Sequence, residues 1–396
     1  ISGGYPPTEN SDYVTIIPGT ESLKYLEDSP LEITMNLSNT RQKIKNFGAS
    51  DCWSVQFVGN WPEEKVNYMA DLLFSSKLHP DGSPKGIGLT GWRVNLGAGS
   101  SRKSPRTIYD QWRRADFYYN SSLTGYDWTR CSGQRNFMQL AKERGLDQFT
   151  AFSNSPPYTM TKNGYAFCDP SVGSTNLDPA KHQDFATYLA DVLEHFRDVE
   201  GIEFENISPL NEPEWDWNEK SSDPGHAYQE GCRYSNTDIA QFTRVLHNEL
   251  SSRNIHTEIE LCDSGQIDYL YSKGGYKGNH IYEFFDTGSS DFIGNSIGNA
   301  ISSHSYWTDT VENIVTKRQS LRAKLDQYGL NYSETEYCIL GNRDNEIDGN
   351  GRDLGIHPAL WAARTIHNDL VVAQAQIWQW WLGISPYNYK DGLVYC

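Results

Sequence analysis

The chain has 396 residues, with 34 basic and 51 acidic side chains and a formal charge of -17. A surface this acidic repels phosphate backbones and anionic lipid, so nucleic acid is a poor partner and neutral or cationic ligands fit better. The longest apolar stretches, at 370–373 and 377–382, fall far short of the ~20 residues that a membrane-spanning helix needs.

Aromatic side chains make up 13% of the chain, including 12 Trp and 24 Tyr. Most serve packing, but rings in that number on an acidic protein point towards stacking on sugars rather than on bases. The seven cysteines, at 52, 131, 168, 232, 262, 338 and 396, show no C-x-x-C spacing and therefore no zinc ribbon or thioredoxin-type site. The chain opens at Ile1 on a polar, Pro-rich segment without an apolar signal core. That is the pattern of a processed start, and export is the expected localisation.

In chain order, residues 1–40 read as an N-terminal extension whose alternating stretch 31–37 is a strand placed to pack outside the main domain. Residues 41–396 read as one large catalytic domain. There, short strand-like runs alternate with longer helical ones, the ordering of βα units around a parallel sheet. The predicted strands are 44–49, 88–95, 148–152, 201–207, 257–263, 300–304, 331–336 and 373–380. Helices are expected at about 63–74, where Asn60, Pro62, Glu63 and Glu64 provide a start signal, and at 132–144. A third runs from an Asp178 cap with Pro179 at its first position to about 197. A fourth, capped by Ser235 or Thr237, ends near 253, and 310–326 and 358–370 follow. None is read between the fifth and sixth strands. Eight strands interleaved with helices predict an α/β fold, a closed (β/α)8 barrel, whose chemistry belongs at the C-terminal ends of its strands.

The polar residues at those ends are Asp51, Arg93, Asn95, Asn154, Asn211, Glu212, His304, Tyr306 and Glu336, joined by Trp380. Two glutamates dominate the ring. A carboxyl pair flanking a glycosidic bond is the minimal equipment for hydrolysing it, one proton donor and one nucleophile or base.

The same residues carry a resemblance. Asn211-Glu212-Pro213 on the fourth strand, Thr335-Glu336-Tyr337 on the seventh, His304-Ser305-Tyr306 on the sixth and Trp380 on the eighth resemble glycoside hydrolase family 30, in clan A of the retaining glycosidases. Phe47-Gly48-Ala49-Ser50-Asp51, Ser153-Asn154-Ser155-Pro156-Pro157 and Trp381-Leu382-Gly383-Ile384-Ser385-Pro386 are similar to its endo-β-1,6-galactanase branch. The likeness spans roughly 40–395. It implies double displacement with Glu336 as nucleophile and Glu212 as acid, then base. It also implies Asn211 on the substrate 2-hydroxyl, Arg93 and Tyr306 holding Glu336, and Trp380 flooring the -1 subsite. Asp51, Trp53, Asn154 and His304 would bind sugar hydroxyls or faces. Family members usually carry a β-rich side domain completed after the barrel. The given chain stops at Cys396, so either that part was removed or the sequence is incomplete, and the 31–37 strand is expected to lack its partners.

Each residue also has a plainer role open to it. Glu334 precedes Glu336 by two positions, on the same face of a regular strand. Arg93 could be a structural ion-pair partner and His304 a packed core histidine. Trp378, Trp380 and Trp381 compete for the floor, and Glu214 and Asp216 read as subsite or surface groups. Two carboxylates at catalytic spacing cannot both be charged cheaply, so Glu212 is expected to have a raised pKa while Glu336 stays ionised. No H-x-x-x-H pairing or phosphate-binding glycine loop appears, so neither metal nor cofactor is expected. The expected partner is an oligo- or polysaccharide, most readily β-1,6-galactan. The alternatives are β-1,6-glucan, xylan or a glucoside, or an inactive carbohydrate-binding barrel.

Overall fold

The computed structural model describes residues 13–15, 24–26, 38–103, 107–343 and 345–396. The strand expected at 31–37 lies outside the described residues. Ahead of the barrel, Tyr13–Thr15 and Lys24–Leu26 pair antiparallel.

Eight parallel strands form the barrel: β1 Asn46–Ser50, β2 Gly91–Asn95, β3 Gln148–Phe152, β4 Phe204–Ser208, β5 in two pieces, Glu258–Ile259 and Leu261–Ser264, β6 Ala300–His304, β7 Asn331–Tyr337 and β8 Ala375–Trp380. The split in β5 closes the sheet. Its first piece pairs with β4 and its second with β6, so the two ends of the strand order belong to one strand. At the split, the Glu260 N–H still donates to Ile207 O at 3.0 Å.

Near-continuous burial along β2 and β7 is what a barrel wall imposes, since one face meets the interior and the other the helices. The helices bury one stripe each. In His182–His195 that stripe includes Phe185, Leu189, Val192 and Leu193. Asp178 does accept from Ala180 N–H, but it caps the 3-10 turn Pro179–Lys181 that leads into this helix. Ser235, rather than Thr237, caps Asn236–Ser252 through a reciprocal capping box with Asp238. Pro62, rather than Asn60, occupies the N-cap of Glu63–Phe74.

Several elements escaped the sequence reading, among them a short helix and two strand pairs, one of them Asn342–Arg343 with Ile347–Asp348. His280–Phe285 is a helix of six residues between β5 and β6, too short to show amphipathic periodicity. Leu382–Ser385 and Gly392–Tyr395 form a parallel pair beyond β8. Gly383 there lies against the Trp92 indole, where a Cβ would come within 2.4 Å of the ring.

Candidate active site

Glu212 follows β4 and adopts φ 43°, a left-handed conformation that is uncommon for residues other than glycine. Its N–H donates to Asp263 O at 2.8 Å, tying the end of β4 to the end of β5. Trp217, also left-handed at φ 48°, donates from Nε1 to Glu212 O at 2.8 Å. Backbone strain of this kind costs of order 1 kcal/mol or more per residue and is retained where the surroundings fix the geometry.

Glu336 owes its orientation to a β-bulge. Against β6, Glu334 pairs with Ser303 and Glu336 with His304, leaving Thr335 as the extra residue. An extra residue breaks the alternation that would put both glutamates in one environment. Glu334 turns into the wall, accepting from Ser305 Oγ at 2.6 Å, Ser305 N at 3.1 Å and Tyr332 Oη at 2.8 Å. Glu336 turns into the cleft, accepting from Arg93 Nη1 at 2.7 Å and Tyr306 Oη at 3.0 Å.

Arg93 is wholly buried and organises this side of the site. Its Nη2 donates to Asn211 Oδ1 and to Asp263 Oδ2, each at 2.8 Å, and its guanidinium lies 3.5 Å from the Phe152 ring centre. Asp263 also accepts from Thr335 Oγ1 at 2.7 Å. Burial works against the Asp263 charge, but Arg93 outweighs it and holds the carboxyl below its usual range.

His304 Nδ1 lies 3.0 Å from Glu212 Oε1 and 3.6 Å from Glu336 Oε1. Burial drops this imidazole to about 3, so the shorter contact is a neutral hydrogen bond rather than an ion pair. Glu212 is raised well above the ordinary carboxyl value, first by burial and then by the charges of Glu336 and Glu214. Glu336 differs from the expectation of a plainly ionised group. Burial pushes it up to about 7, with Arg93 and Tyr306 pulling the other way. Only Glu336 of the two has a cation and a phenol hydrogen-bonded to its carboxylate, so it ionises first.

One oxygen from each glutamate and the His304 Nδ1 all lie within 4.8 Å of one another, a spacing that a cation could bridge. The Arg93 guanidinium already places fixed positive charge on Glu336, so the donor set suits a coupled carboxyl pair better than a metal.

Both glutamates open onto a cleft of about 760 Å³, whose walls include Asn211, Tyr306 and two aromatic groups. Trp215 and Trp307 pack edge to face at 5.5 Å, and so do Trp53 and Trp381 at 5.1 Å. Thus Asn211, Glu212, Tyr306, Glu336 and Trp53 converge on one cavity. The other expected residues stand behind it. Asp51 accepts from Asn95 N–H at 2.8 Å and Gln134 Nε2 at 2.7 Å, and Asn154 donates to Asn95 Oδ1 at 3.3 Å. Trp380, expected as the floor, donates from Nε1 to Asp391 O at 2.7 Å and packs against Tyr337 and Trp378. The ring on the cleft wall is its neighbour Trp381. Trp378 is bound to Asp369 through its indole N–H at 2.9 Å.

Asp216 is exposed and pairs with Lys277 at 3.1 Å, as a surface group would. Glu214 instead is buried, accepts from Gly265 N–H at 3.3 Å, and is pushed up to about 7 by that burial. Sequence reasoning assigned no role to Asp263. Its place at the predicted end of the fifth strand was the one available signal, and its partner Arg93 is 170 positions away.

An eight-stranded βα barrel with two coupled glutamates at the mouth of an aromatic cleft is the arrangement of a glycosidase. The family model for O-glycosyl hydrolase family 30 matches residues 30–395, and the chain belongs to that family. It is 31% identical over 246 residues to an endo-β-1,6-galactanase of Hypocrea rufa, covering 58% of this chain and 48% of that protein. It is 34% identical over 92 residues to an exo-β-1,6-galactobiohydrolase of Bifidobacterium longum subsp. longum, covering 22% of this chain and 6% of that one. The chain therefore spans about half of the first relative and a small part of the second. Among solved structures, a conserved exported protein from Bacteroides fragilis superposes with a TM-score of 0.81 at 31% identity, covering 89% of this chain and 72% of that one. The catalytic domain of GH30 xylanase C from Talaromyces cellulolyticus shares the fold, with a TM-score of 0.60 at 20% identity over 90% of this chain and 72% of that one. Among the described residues no helix is long and apolar enough to cross a membrane.

Proposed function

We propose that this glycosidase cleaves β-1,6-linked galactan with retention, using Glu336 as nucleophile and Glu212 as acid and then base. The observation that carries the mechanism is the unequal footing of the two glutamates within 4.8 Å contact. Glu336 accepts from Arg93 and Tyr306, while Glu212 meets only the neutral imidazole of His304 and stays protonated to higher pH. Retaining enzymes keep their carboxyls ~5–5.5 Å apart, too close for an intervening water.

In the first step a Glu336 oxygen attacks the anomeric carbon as Glu212 gives its proton to the departing glycosidic oxygen. The covalent sugar ester removes the Glu336 charge, so the Glu212 pKa falls and it can take a proton from the incoming water. Arg93 holds Glu336 through both half-reactions. Asn211, its amide oxygen fixed by Arg93, keeps its Nδ2 for the substrate 2-hydroxyl. Trp381 provides the sugar-stacking face assigned in sequence to Trp380, with Trp53 beside it. Asp51, Asn154 and His304 support the walls from behind.

The galactan assignment is supported by the names of the two curated relatives, both β-1,6-galactan-cleaving enzymes. Export is supported by the likeness to the Bacteroides fragilis exported protein. A 2-deoxy-2-fluoro galactosyl inhibitor is expected to label Glu336, and an inverted product by NMR would refute double displacement. A panel of β-1,6-galactan, β-1,6-glucan and xylan tests the substrate, with fastest release from galactan expected.

A further inference from the structure

Behind the Trp217 side of the cleft, three extended segments lie edge to edge. Gly231 N–H donates to Ala166 O at 2.9 Å, Cys168 N–H to Trp217 O at 2.8 Å, and Glu219 N–H to Cys168 O at 2.7 Å. Segment 166–168 is therefore held between 217–219 and 231–233. The side chains continue that pattern. Arg233 N–H points at Cys168 Sγ from 3.4 Å, and Cys232 Sγ lies 3.7 Å from Thr175 Oγ1 and 3.5 Å from Arg233 O. Both cysteines are fully buried, and Cys232 immediately precedes the residue whose N–H meets Cys168 Sγ.

Adjacent extended segments place facing Cα atoms about 4.5–5.5 Å apart. A disulfide spans Cα separations of roughly 4.4–6.8 Å. With Cys168 Sγ 3.4 Å from the amide nitrogen that follows Cys232, the two residues lie close enough for such a bridge to be built between the adjacent segments. We propose that Cys168 and Cys232 are joined as a disulfide in the mature protein, a covalent staple between the loop after β3 and the loop after β4.

The staple would act on the wall of the site. Trp217 lines the cleft and donates to the Glu212 carbonyl, and Gly231 lies flat against its ring, where a Cβ would come within 2.4 Å of Cδ2. Tyr234 N–H closes the other end of the segment onto Pro213 O at 3.0 Å. Cys168 and Cys232 therefore bracket the residue that flanks the acid, and linking them limits how far that wall can move.

The chemistry balances with a small-molecule disulfide of the oxidised glutathione type. One cysteine thiolate attacks a sulfur of the oxidant and expels a thiolate. The second cysteine, deprotonated, then attacks the mixed disulfide and expels the other. Two protein thiols lose two electrons and two protons, and the oxidant leaves as two thiols. Because both sulfurs are buried, the exchange takes place while the chain folds.

The test refolds the full chain in a glutathione redox buffer and, in parallel, in excess phosphine reductant. Free thiols are alkylated before tryptic digestion without reduction. The expected result is a cross-linked peptide pair joining Cys168 to Cys232, and an unfolding midpoint on the order of 5 °C above the reduced sample. Cys168→Ser and Cys232→Ser are each expected to erase that gap. Alkylation of both cysteines in the oxidised sample, a bridge from either to a different cysteine, or a gap that persists in both variants overturns the proposal. Should a variant fail to fold, the peptide map of the unaltered chain decides alone.

Discussion

Replacing Asp263 by Asn removes one negative charge from the buried array Asp263, Arg93 and Glu336 without changing its shape. The amide is accommodated: its oxygen can take the Arg93 Nη2–H, and its NH2 can face Thr335, whose hydroxyl is able to reverse from donor to acceptor. Asp263 raises the Glu336 pKa by like-charge repulsion and also shares the guanidinium with it. With contacts of 2.8 and 2.7 Å to the two ends of one planar fork, the carboxylates stand ~6 Å apart, which at an effective dielectric constant of ~20 is about 3 kcal/mol of repulsion. Relaxation and water leave less than half of that. The acid limb of kcat/KM, which in the proposed mechanism follows ionisation of Glu336, is expected to move to lower pH by on the order of one pH unit, or ~1.4 kcal/mol.

The same substitution is expected to destabilise the fold by about 2 kcal/mol near neutrality, because a buried ion pair loses one partner while hydrogen bonds survive. Since the folded Asp263 titrates below its ordinary range, the stability it contributes is present above the unfolded carboxyl pKa and is lost as pH falls through the folded one. The deficit of the variant should therefore shrink in acid. The assay is kcat/KM against pH on β-1,6-galactan, with chemical denaturation at two pH values. An acid limb that stays in place or moves to higher pH in a folded Asp263→Asn protein refutes the electrostatic account.

Tyr306→Phe should move the same limb the other way, to higher pH, since the lost phenol hydrogen bond is one that lowers Glu336; kcat should fall roughly 10- to 100-fold. Trp381→Ala should raise KM about tenfold through loss of a stacking face, while Trp380→Ala, which empties packing against Tyr337 and Trp378, should show mainly in thermal denaturation. Equal KM effects from the two would refute the placement of the floor. Gly265→Ala would set a methyl 2.4 Å from Trp215 Nε1 and 3.0 Å from Glu212 Oε1. It is expected to lower kcat and raise KM with unchanged far-UV circular dichroism, and unaltered kinetics would show that this corner of the cleft yields freely.

Much of this protein is local and was legible as such. The alternating apolar and polar residues of 201–207 specify a strand because side-chain direction has a period of two in any extended chain. The Ser235 cap and the Asp178-Pro179 start signal act on backbone groups two or three residues away. Once eight strands alternate with helices, the barrel rule places their polar ends on one face, and with them Glu212 and Glu336.

What the tertiary structure decided lies in contacts between distant parts of the chain. Glu334 and Glu336 have the same local credentials, and only the bulge against β6 sends one into the wall and the other into the cleft. Trp380 and Trp381 are neighbours, and the contacts beyond β8 decide which ring lines the cleft. Asp263 acquires its role from an arginine on another strand, and the segment of Cys168 lies beside that of Cys232 because two loops share an edge. Periodicity and propensity are set by neighbours in sequence, so they determine the elements and their order. Electrostatic coupling and side-chain direction at a barrel mouth depend on register between strands far apart in the chain, which the completed barrel imposes.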